Sequence, residues 1–186
     1  EQTRRVSSIV QSLVNFAHAG KRIGLEAHCA VNVRHTAQEA INLIQLKSKH
    51  KQLNFQNLCD ETLMVSGDPQ RLLQVFVNLI SNANDASINE KAIIVETTAS
   101  EHTATVTLTD EGSGIPKDIQ EQVFEPFFTT KDPGKGTGLG LALVYRIIEE
   151  HYGKITIESP VNTSSGTGTR VIITLPIHLQ QSVDTH

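Results

Sequence analysis

Tryptophan is absent from this 186-residue chain, methionine occurs once and tyrosine twice. Hydrophobic residues make up 38% and charged residues 19%, the balance of an ordinary soluble globular chain. There is no surplus of basic charge. The formal net charge is -4, which argues against a nucleic-acid binder. No apolar run approaches the roughly 18 residues a membrane helix needs, so no membrane segment is expected. Cysteine is scarce: Cys29 and Cys59 stand far apart, without a CxxC pair or a signal peptide, and read as reduced cytoplasmic thiols. The eight histidines have no ligand spacing, so His18, His28, His35 and His151 read as surface or partly buried side chains rather than metal ligands. There is no initiating methionine either. The chain opens on Glu1 and is expected to be a fragment, with a length that suits one domain plus an appendage.

What stands out is Asp132-Pro133-Gly134-Lys135-Gly136-Thr137-Gly138-Leu139-Gly140-Leu141. Glycine at alternate positions frees the backbone and lets a ligand approach it closely. A helical pattern follows at once, and free amides at a helix start form an anion site. Taken alone, the stretch is either a phosphate-binding lid or a flexible hinge.

Along the chain, Val6, Ile9, Leu13 and Phe16 form an a/d seam over residues 1–20. So short a helix is marginal alone. It is either a core helix of the same domain or half of a helical hairpin, and Gly20 and Gly24 mark its end. A short strand is predicted over 27–33, a helix over 34–48, and strands over 53–58 and 63–65. Asp68-Pro69 starts a helix running to about Ser87, with an N-cap acid and proline in the first turn. Residues 92–98 and 104–109 alternate as a hairpin through Ser100-Glu101-His102. A short helix is predicted from Ile115-Pro116 to Val123, and a longer one from Leu139 to His151 with Gly153 as its C-cap. Strands over 154–158 and 169–175 flank a flexible turn at Ser164–Gly168, and the chain from His178 reads as a disordered tail.

Three features carry chemistry. Within the helix after Pro69, Gln74, Asn78, Asn82 and Asp85 make one polar stripe beside the apolar face of Leu72, Val75, Phe76, Leu79, Ala83 and Ala86. Asparagine is a poor helix-interior residue because its amide competes for backbone bonds. Asn78, Asn82 and Asn84 in one helix therefore point to use rather than to a plain solvated face. Asp110-Glu111-Gly112-Ser113-Gly114 closes a strand; it is either an ordinary turn or a carboxylate aimed into a cleft. Phe124-Glu125-Pro126-Phe127-Phe128-Thr129-Thr130-Lys131 gathers three of the six phenylalanines, which pin a loop or form an exposed patch.

In chain order, Asn78-Leu79-Ile80-Ser81-Asn82-Ala83, Asp110-x-Gly112-x-Gly114, Phe124-x-Pro126-Phe127-Phe128, Gly136-Thr137-Gly138-Leu139-Gly140-Leu141 and Gly166-x-Gly168-Thr169 resemble the five boxes of the ATP-binding catalytic domain of bacterial sensor histidine kinases. The resemblance covers about residues 30 to 176. The Thr129-Thr130-Lys131 and Asn82-Ala83-Asn84-Asp85-Ala86 variants are most similar to the nitrogen-regulator subgroup, and residues 1–20 are similar to the second helix of the family's dimerisation and phosphotransfer hairpin. Three segments follow: 1–22 as part of that hairpin, 27–176 as the catalytic domain, and 177–186 as a tail.

The resemblance implies an α+β fold, a two-layer α/β sandwich with helices covering one face of a mixed sheet. It implies ATP and Mg²⁺, with Asn82 holding the metal through its amide oxygen and Asn78 supporting the metal waters or a phosphate. Asp110 would accept from the exocyclic amine of adenine, and would reject guanine, whose carbonyl is a second acceptor. Thr169 would reach the adenine edge, while Gly112, Gly114 and Ile115 line the base. Phe127 and Phe128 would anchor the lid. Residues Gly136, Thr137, Gly138, Leu139, Gly140 and Leu141 would supply its mobility and its amides. Asp85 joins the nucleotide-binding set by its place on the stripe, and Lys131 is a candidate phosphate cation and, with Asn78 and Asn82, a catalytic residue.

Two other phosphate folds fail: G-x-x-x-x-G-K-[ST] does not occur, and Gly136-x-Gly138-x-x-Leu141 breaks the dinucleotide fingerprint. Gyrase-like, mismatch-repair and chaperone ATPases share the implied fold, but carry a glutamate to activate water where this chain has Asn78. An amide is no general base. A neutral histidine is already nucleophilic near neutral pH, so transfer to an imidazole is the expected reaction. The acceptor is expected upstream of residue 1, because the neighbours of His18 do not resemble an acceptor motif. The expected partners are a response-regulator receiver domain and the chain's own hairpin in a homodimer, with no nucleic acid. The expected location is the cytoplasm, compatible with a parent anchored in the inner membrane.

Overall fold

The computed structural model describes residues 28–48, 51–88, 90–132 and 136–179. The segment 1–22, the middle of the glycine-rich stretch and the end of the tail lie outside the described residues. The elements are β1 (Cys29–Asn32), α1 (Val33–Lys47), β2 (Asn54–Leu58), β3 (Met64–Gly67), α2 (Pro69–Ala86), β4 (Ala92–Ala99), β5 (Thr103–Asp110), α3 (Gly140–Glu150), β6 (Lys154–Glu158) and β7 (Thr169–Pro176). Five strands form one mixed sheet in the order β2-β4-β5-β7-β6, parallel at β2/β4 and antiparallel elsewhere. The first and third strands pair separately as an antiparallel ladder. That ladder is tied to the end of the chain by a bridge between Val65 and Ile177 and by the His178 amide donating to the Met64 carbonyl at 3.0 Å. The chain thus stays paired through His178.

Strand periodicity sets the layers. Ile93 and Val95 of β4, Ala104, Val106 and Leu108 of β5, and Val171, Ile173 and Leu175 of β7 all face the helices and are buried. The alternate residues Thr105, Thr107, Thr109, Ile172 and Thr174 are only half-buried on the other face. Against the inner face pack Ala37, Ala40, Ile41 and Ile44 of α1, Leu72, Val75, Phe76, Leu79, Ile80 and Ala83 of α2, and Leu143, Val144, Ile147 and Ile148 of α3. The two-layer α+β sandwich expected from the sequence is the observed fold.

The alignment of α2 against α3 is locked at one corner. Asp68 caps α2, its Oδ1 accepting from the amides of Gln70 at 2.9 Å and Arg71 at 3.0 Å. Arg71 pairs with Glu150 at 3.1 Å between largely buried side chains. His151, fully buried, accepts the Asp68 N–H at Nε2 (2.9 Å), so its proton sits on Nδ1 and is donated to the Ile147 carbonyl at 2.7 Å. The His28 ring stacks on it at 4.8 Å. A Cβ on Gly67 would lie 2.7 Å from His151 Cδ2, so only glycine lets the ring in. The C-terminus of α3 is thus fastened to the N-terminus of α2.

Three local expectations need correction. Ile115 to Val123 is not one helix but two 3₁₀ turns, Lys117–Ile119 and Gln122–Phe124. The Gln120 side chain donates both to the Ile115 carbonyl within the segment and to the Ser159 carbonyl outside it, and these bonds shape the segment in place of a continuous helix. The C-cap of α3 is His151, and the left-handed residue is Tyr152 (φ 56°), not Gly153. Glycine at 153 serves close approach, since a Cβ there would meet the Thr174 carbonyl oxygen at 2.4 Å. The turn at Ser164–Gly168 is hydrogen-bonded, with Asn162 Oδ1 accepting from the amides of Ser164 and Ser165 at 3.1 Å each.

Burial holds the His151 imidazole below its ordinary pKa of 6.5, the opposing hydrogen bond to Ile147 being the smaller effect. Its contribution to stability is therefore full above that value and is lost as pH falls through the folded pKa. His151→Ala should cost about 2–4 kcal/mol near neutral pH, the sum of a lost buried ring and an orphaned N–H. In thermal melts, the gap between wild type and variant should narrow between about pH 7.5 and about pH 5. A gap independent of pH contradicts a neutral, hydrogen-bond-accepting Nε2.

Candidate functional site

The antiparallel packing of α2 on α3 sets one wall of a cleft. Asn78, midway along α2, comes to lie beside Gly140, the first residue of α3; a Cβ on Gly140 would sit 3.3 Å from Asn78 Oδ1. Asn78 Nδ2 donates one of its two N–H groups to the Gln74 carbonyl one turn back at 2.9 Å, with Oδ1 toward α3. Asn82 lies one turn further on and Asp85 about two, as the stripe predicts. Lys131 reaches across from the phenylalanine-rich loop, its Nζ 2.6 Å from Asp85 Oδ2 and 3.3 Å from Asn82 Oδ1. Asn84 does not join this group. It is buried, and its Oδ1 has no partner. Its carbonyl and that of Ser87 accept instead from Lys51 Nζ, which caps the end of α2.

The other wall is the end of the sheet. Residues 104, 106 and 108 of β5 are buried apolar side chains, and Asp110 is the next on the same face, 5% exposed. Its neighbour in the ladder is Thr169, also buried, at the start of β7. A carboxylate and a hydroxyl thus end two apolar rows side by side. Burial raises the Asp110 pKa above the usual carboxylate range, opposed by hydrogen bonds from the backbone amides of Gly112 and Thr169. The Gly112 N–H lies 2.8 Å from Asp110 Oδ1.

Glycine is required around this carboxylate. A Cβ on Gly112 would lie 2.8 Å from the Ala86 carbonyl oxygen, where α2 ends, so this turn joins the two walls. Gly114 has φ 77° and Gly168 φ 84°, both left-handed. The Gly168 amide donates to the Gly112 carbonyl at 2.8 Å. Ser159 completes the wall: its Oγ accepts from the Ile115 amide at 2.7 Å, donates to the Gly168 carbonyl at 2.9 Å and lies 3.5 Å from Thr169 Oγ1. Sequence reasoning missed Ser159 and Gln120. Each acts through backbone atoms far along the chain, and no spacing or pattern marks such a pair.

The glycine-rich segment is fastened differently from the expectation. The ring of Phe127 is 65% exposed and does not anchor the lid. Its backbone does, at φ 71°, with its N–H donating to the Gly138 carbonyl at 2.8 Å. Gly138 has φ 66°, and a Cβ there would be 2.3 Å from the Phe127 carbonyl carbon. The packed aromatic is Phe124, 5.6 Å from Tyr145 of α3, while Phe128 is half-buried. Leu139 is buried and Leu141 packs on the core, so both seat the start of α3. Thr137 Oγ1 accepts from the Leu139 amide at 3.4 Å. Among the described residues no side chain caps α3, so its first amides are free of a side-chain partner there, as an anion site needs. Gly136 packs on Thr129 and Lys131.

Residues 67–179 match the family of histidine kinase-, DNA gyrase B- and HSP90-like ATPases. The sensor histidine kinase ZraS of Salmonella typhi is 36% identical over 183 residues, covering 97% of this chain and 37% of ZraS. Sporulation kinase E of Bacillus subtilis (strain 168) is 33% identical over 178 residues, covering 95% and 23%. The chain therefore spans roughly a quarter to a third of the length of these relatives. Among solved structures, the nucleotide-free catalytic domain of histidine kinase ThkA superposes with a TM-score of 0.69 at 32% identity, covering 80% of this chain and 97% of that domain. ThkA in complex with the response regulator protein TrrA gives 0.74 at 26% identity, covering 95% and 48%.

The buried carboxylate carries a cost that can be read without ligand. A raised folded pKa means that the stability Asp110 contributes is present below its ordinary value of 3.8 and is lost as pH rises through the folded pKa. In ligand-free melts, the Tm of Asp110→Asn minus that of wild type should therefore increase as pH rises above about 4 and level off once pH has passed the raised folded pKa. A difference that is flat or falls with pH contradicts the burial of an ionised carboxylate here.

Proposed function

This chain belongs to the histidine kinase-, DNA gyrase B- and HSP90-like ATPases, and within that family we propose that it is the ATP-binding catalytic part of a sensor histidine kinase. It transfers the γ-phosphoryl of Mg·ATP to a histidine of a phosphotransfer hairpin, for relay to an aspartate of a response regulator. The observation that carries this reading is Asn78. Family members that hydrolyse ATP need a base beside the metal asparagine; this chain has an amide there, already donating to Gln74.

The cleft suits the ligand. Asn82 and Asp85 offer hard oxygens one turn apart, and these oxygens already hold a cation, the Lys131 ammonium. The glycines at 112, 114 and 168 leave room where any Cβ would crowd or strain the wall. When bound, Mg²⁺ neutralises phosphate charge and orients the triphosphate. The protein's own part is positioning. Asp110 accepts from the adenine amine, and Thr169, held near Ser159, faces the same edge. The α3 amides and Lys131 receive the phosphates, and Asn82 receives the metal. The complex of ThkA with a response regulator supports a receiver domain as partner. Among the described residues, no helix is long and apolar enough to cross a membrane.

Three measurements test the proposal. Supplied with a phosphotransfer hairpin in trans, the chain should label it with acid-labile phosphate from ATP; ATP binding without transfer would instead favour a nucleotide-sensing module. Asp110→Asn should weaken ATP roughly 10- to 100-fold, the loss expected for a hydrogen bond to a charged acceptor, and should lower ATP/GTP discrimination. Unchanged affinity would sink the adenine assignment. Asn82→Ala should abolish the Mg²⁺-dependent part of ATP binding in calorimetry.

A further inference from the structure

Lys131 is aimed. Its own amide contacts Thr129 Oγ1 at 3.2 Å, and its stem lies where a Cβ on Gly136 would meet it at 3.2 Å, so the lysine is stacked on the backbone of the glycine-rich segment. From there its ammonium crosses to α2 and lands on Asp85 and Asn82 together. One side chain thus ties the phenylalanine-rich loop, the glycine segment and the polar stripe of α2.

We propose that Lys131 is a built-in place-holder for the divalent cation. In the nucleotide-free protein it occupies the oxygens that metal binding needs, so metal and nucleotide bind well only together. The inference rests on the assignment of Asn82 to the metal. The chemistry follows from charge. A divalent ion and an ammonium cannot share Asn82 Oδ1 without like-charge repulsion. A metal arriving alone must displace Lys131 and leave the ammonium without an anion. A metal arriving with a triphosphate displaces it onto the phosphates, which replace Asp85 as its partner. That difference is a positive coupling free energy between metal and nucleotide.

The test titrates Mn²⁺ into the nucleotide-free 186-residue chain, reading free Mn²⁺ by electron paramagnetic resonance. Lys131→Met should bind Mn²⁺ about three- to tenfold tighter than wild type, the range expected for removing one screened positive charge and its ion pair. Lys131→Arg should behave like wild type, and Lys131→Met combined with Asn82→Ala should lose the gain. The factor by which a non-hydrolysable ATP analogue tightens Mn²⁺ should shrink in Lys131→Met. Equal or weaker Mn²⁺ binding by Lys131→Met overturns the proposal, as does a gain that survives Asn82→Ala. Binding of Mg·ATP to wild type, measured in parallel, separates the two inferences. Its absence sinks the kinase reading, whereas the nucleotide-free Mn²⁺ arm still reports on Lys131.

Discussion

The packing of α2 is the constraint from which the cleft follows. That helix must bury Leu72, Val75, Phe76, Leu79 and Ile80 against the sheet, and only one rotation about its axis does so. The rotation that buries them turns Asn78, Asn82 and Asp85 to the side where α3 begins. The antiparallel match of α2 to α3 is set at the far end, where His151 and Glu150 hold Asp68 and Arg71. From that corner both helices run a similar distance, and Gly140 arrives beside Asn78. Residues at that far corner thus determine which side chain of α2 stands beside the start of α3.

The sheet supplies the second wall by the same logic of periodicity carried one step too far. Apolar alternation along β5 places every second side chain in the core, and Asp110 inherits that orientation because it continues the strand. The fold accepts a carboxylate at the edge of its core, its charge opposed by burial and only partly answered by two backbone amides. A group kept short of partners is one that a ligand can complete. The surrounding Ser159, Gln120 and Gly168 hydrogen bonds tie the loop together around it and oppose its collapse onto the carboxylate.

Much of this is legible in the amino-acid sequence wherever one residue's environment depends on near neighbours. The Asp68-Pro69 start, the α2 stripe, the β4–β5 hairpin and the inward direction of Asp110 all follow from caps or periods of 2 and 3.6. What stays hidden depends on partners distant along the chain. Ser159 and Gln120 are unremarkable polar residues until the strands bring Ile115 and Gly168 to them. Lys131 can be named as a phosphate cation, but its rest position on Asn82 and Asp85 depends on the loop path. Phe127 misleads for a related reason. An aromatic residue suggests anchoring by its ring, whereas its backbone holds Gly138 and its ring stays in solvent. Gly153 suggests a handedness that Tyr152 takes instead, because close approach to β7 is invisible along the chain.

On the proposed function, an amide at position 78 would bear on phosphate binding as well as on the reaction class. The side chain faces the uncapped start of α3, where free N–H groups and the helix dipole favour negative charge. A carboxylate in that place would be held ionised by those same amides and would compete with a phosphate for them. An amide cannot compete in this way. One of its N–H groups is held by Gln74, and its neutral oxygen is a weak rival for the α3 donors. Under the proposed transfer to a nucleophile that needs no base, asparagine would therefore serve twice. It would omit a water-activating group, and it would leave the first α3 amides free for a phosphate.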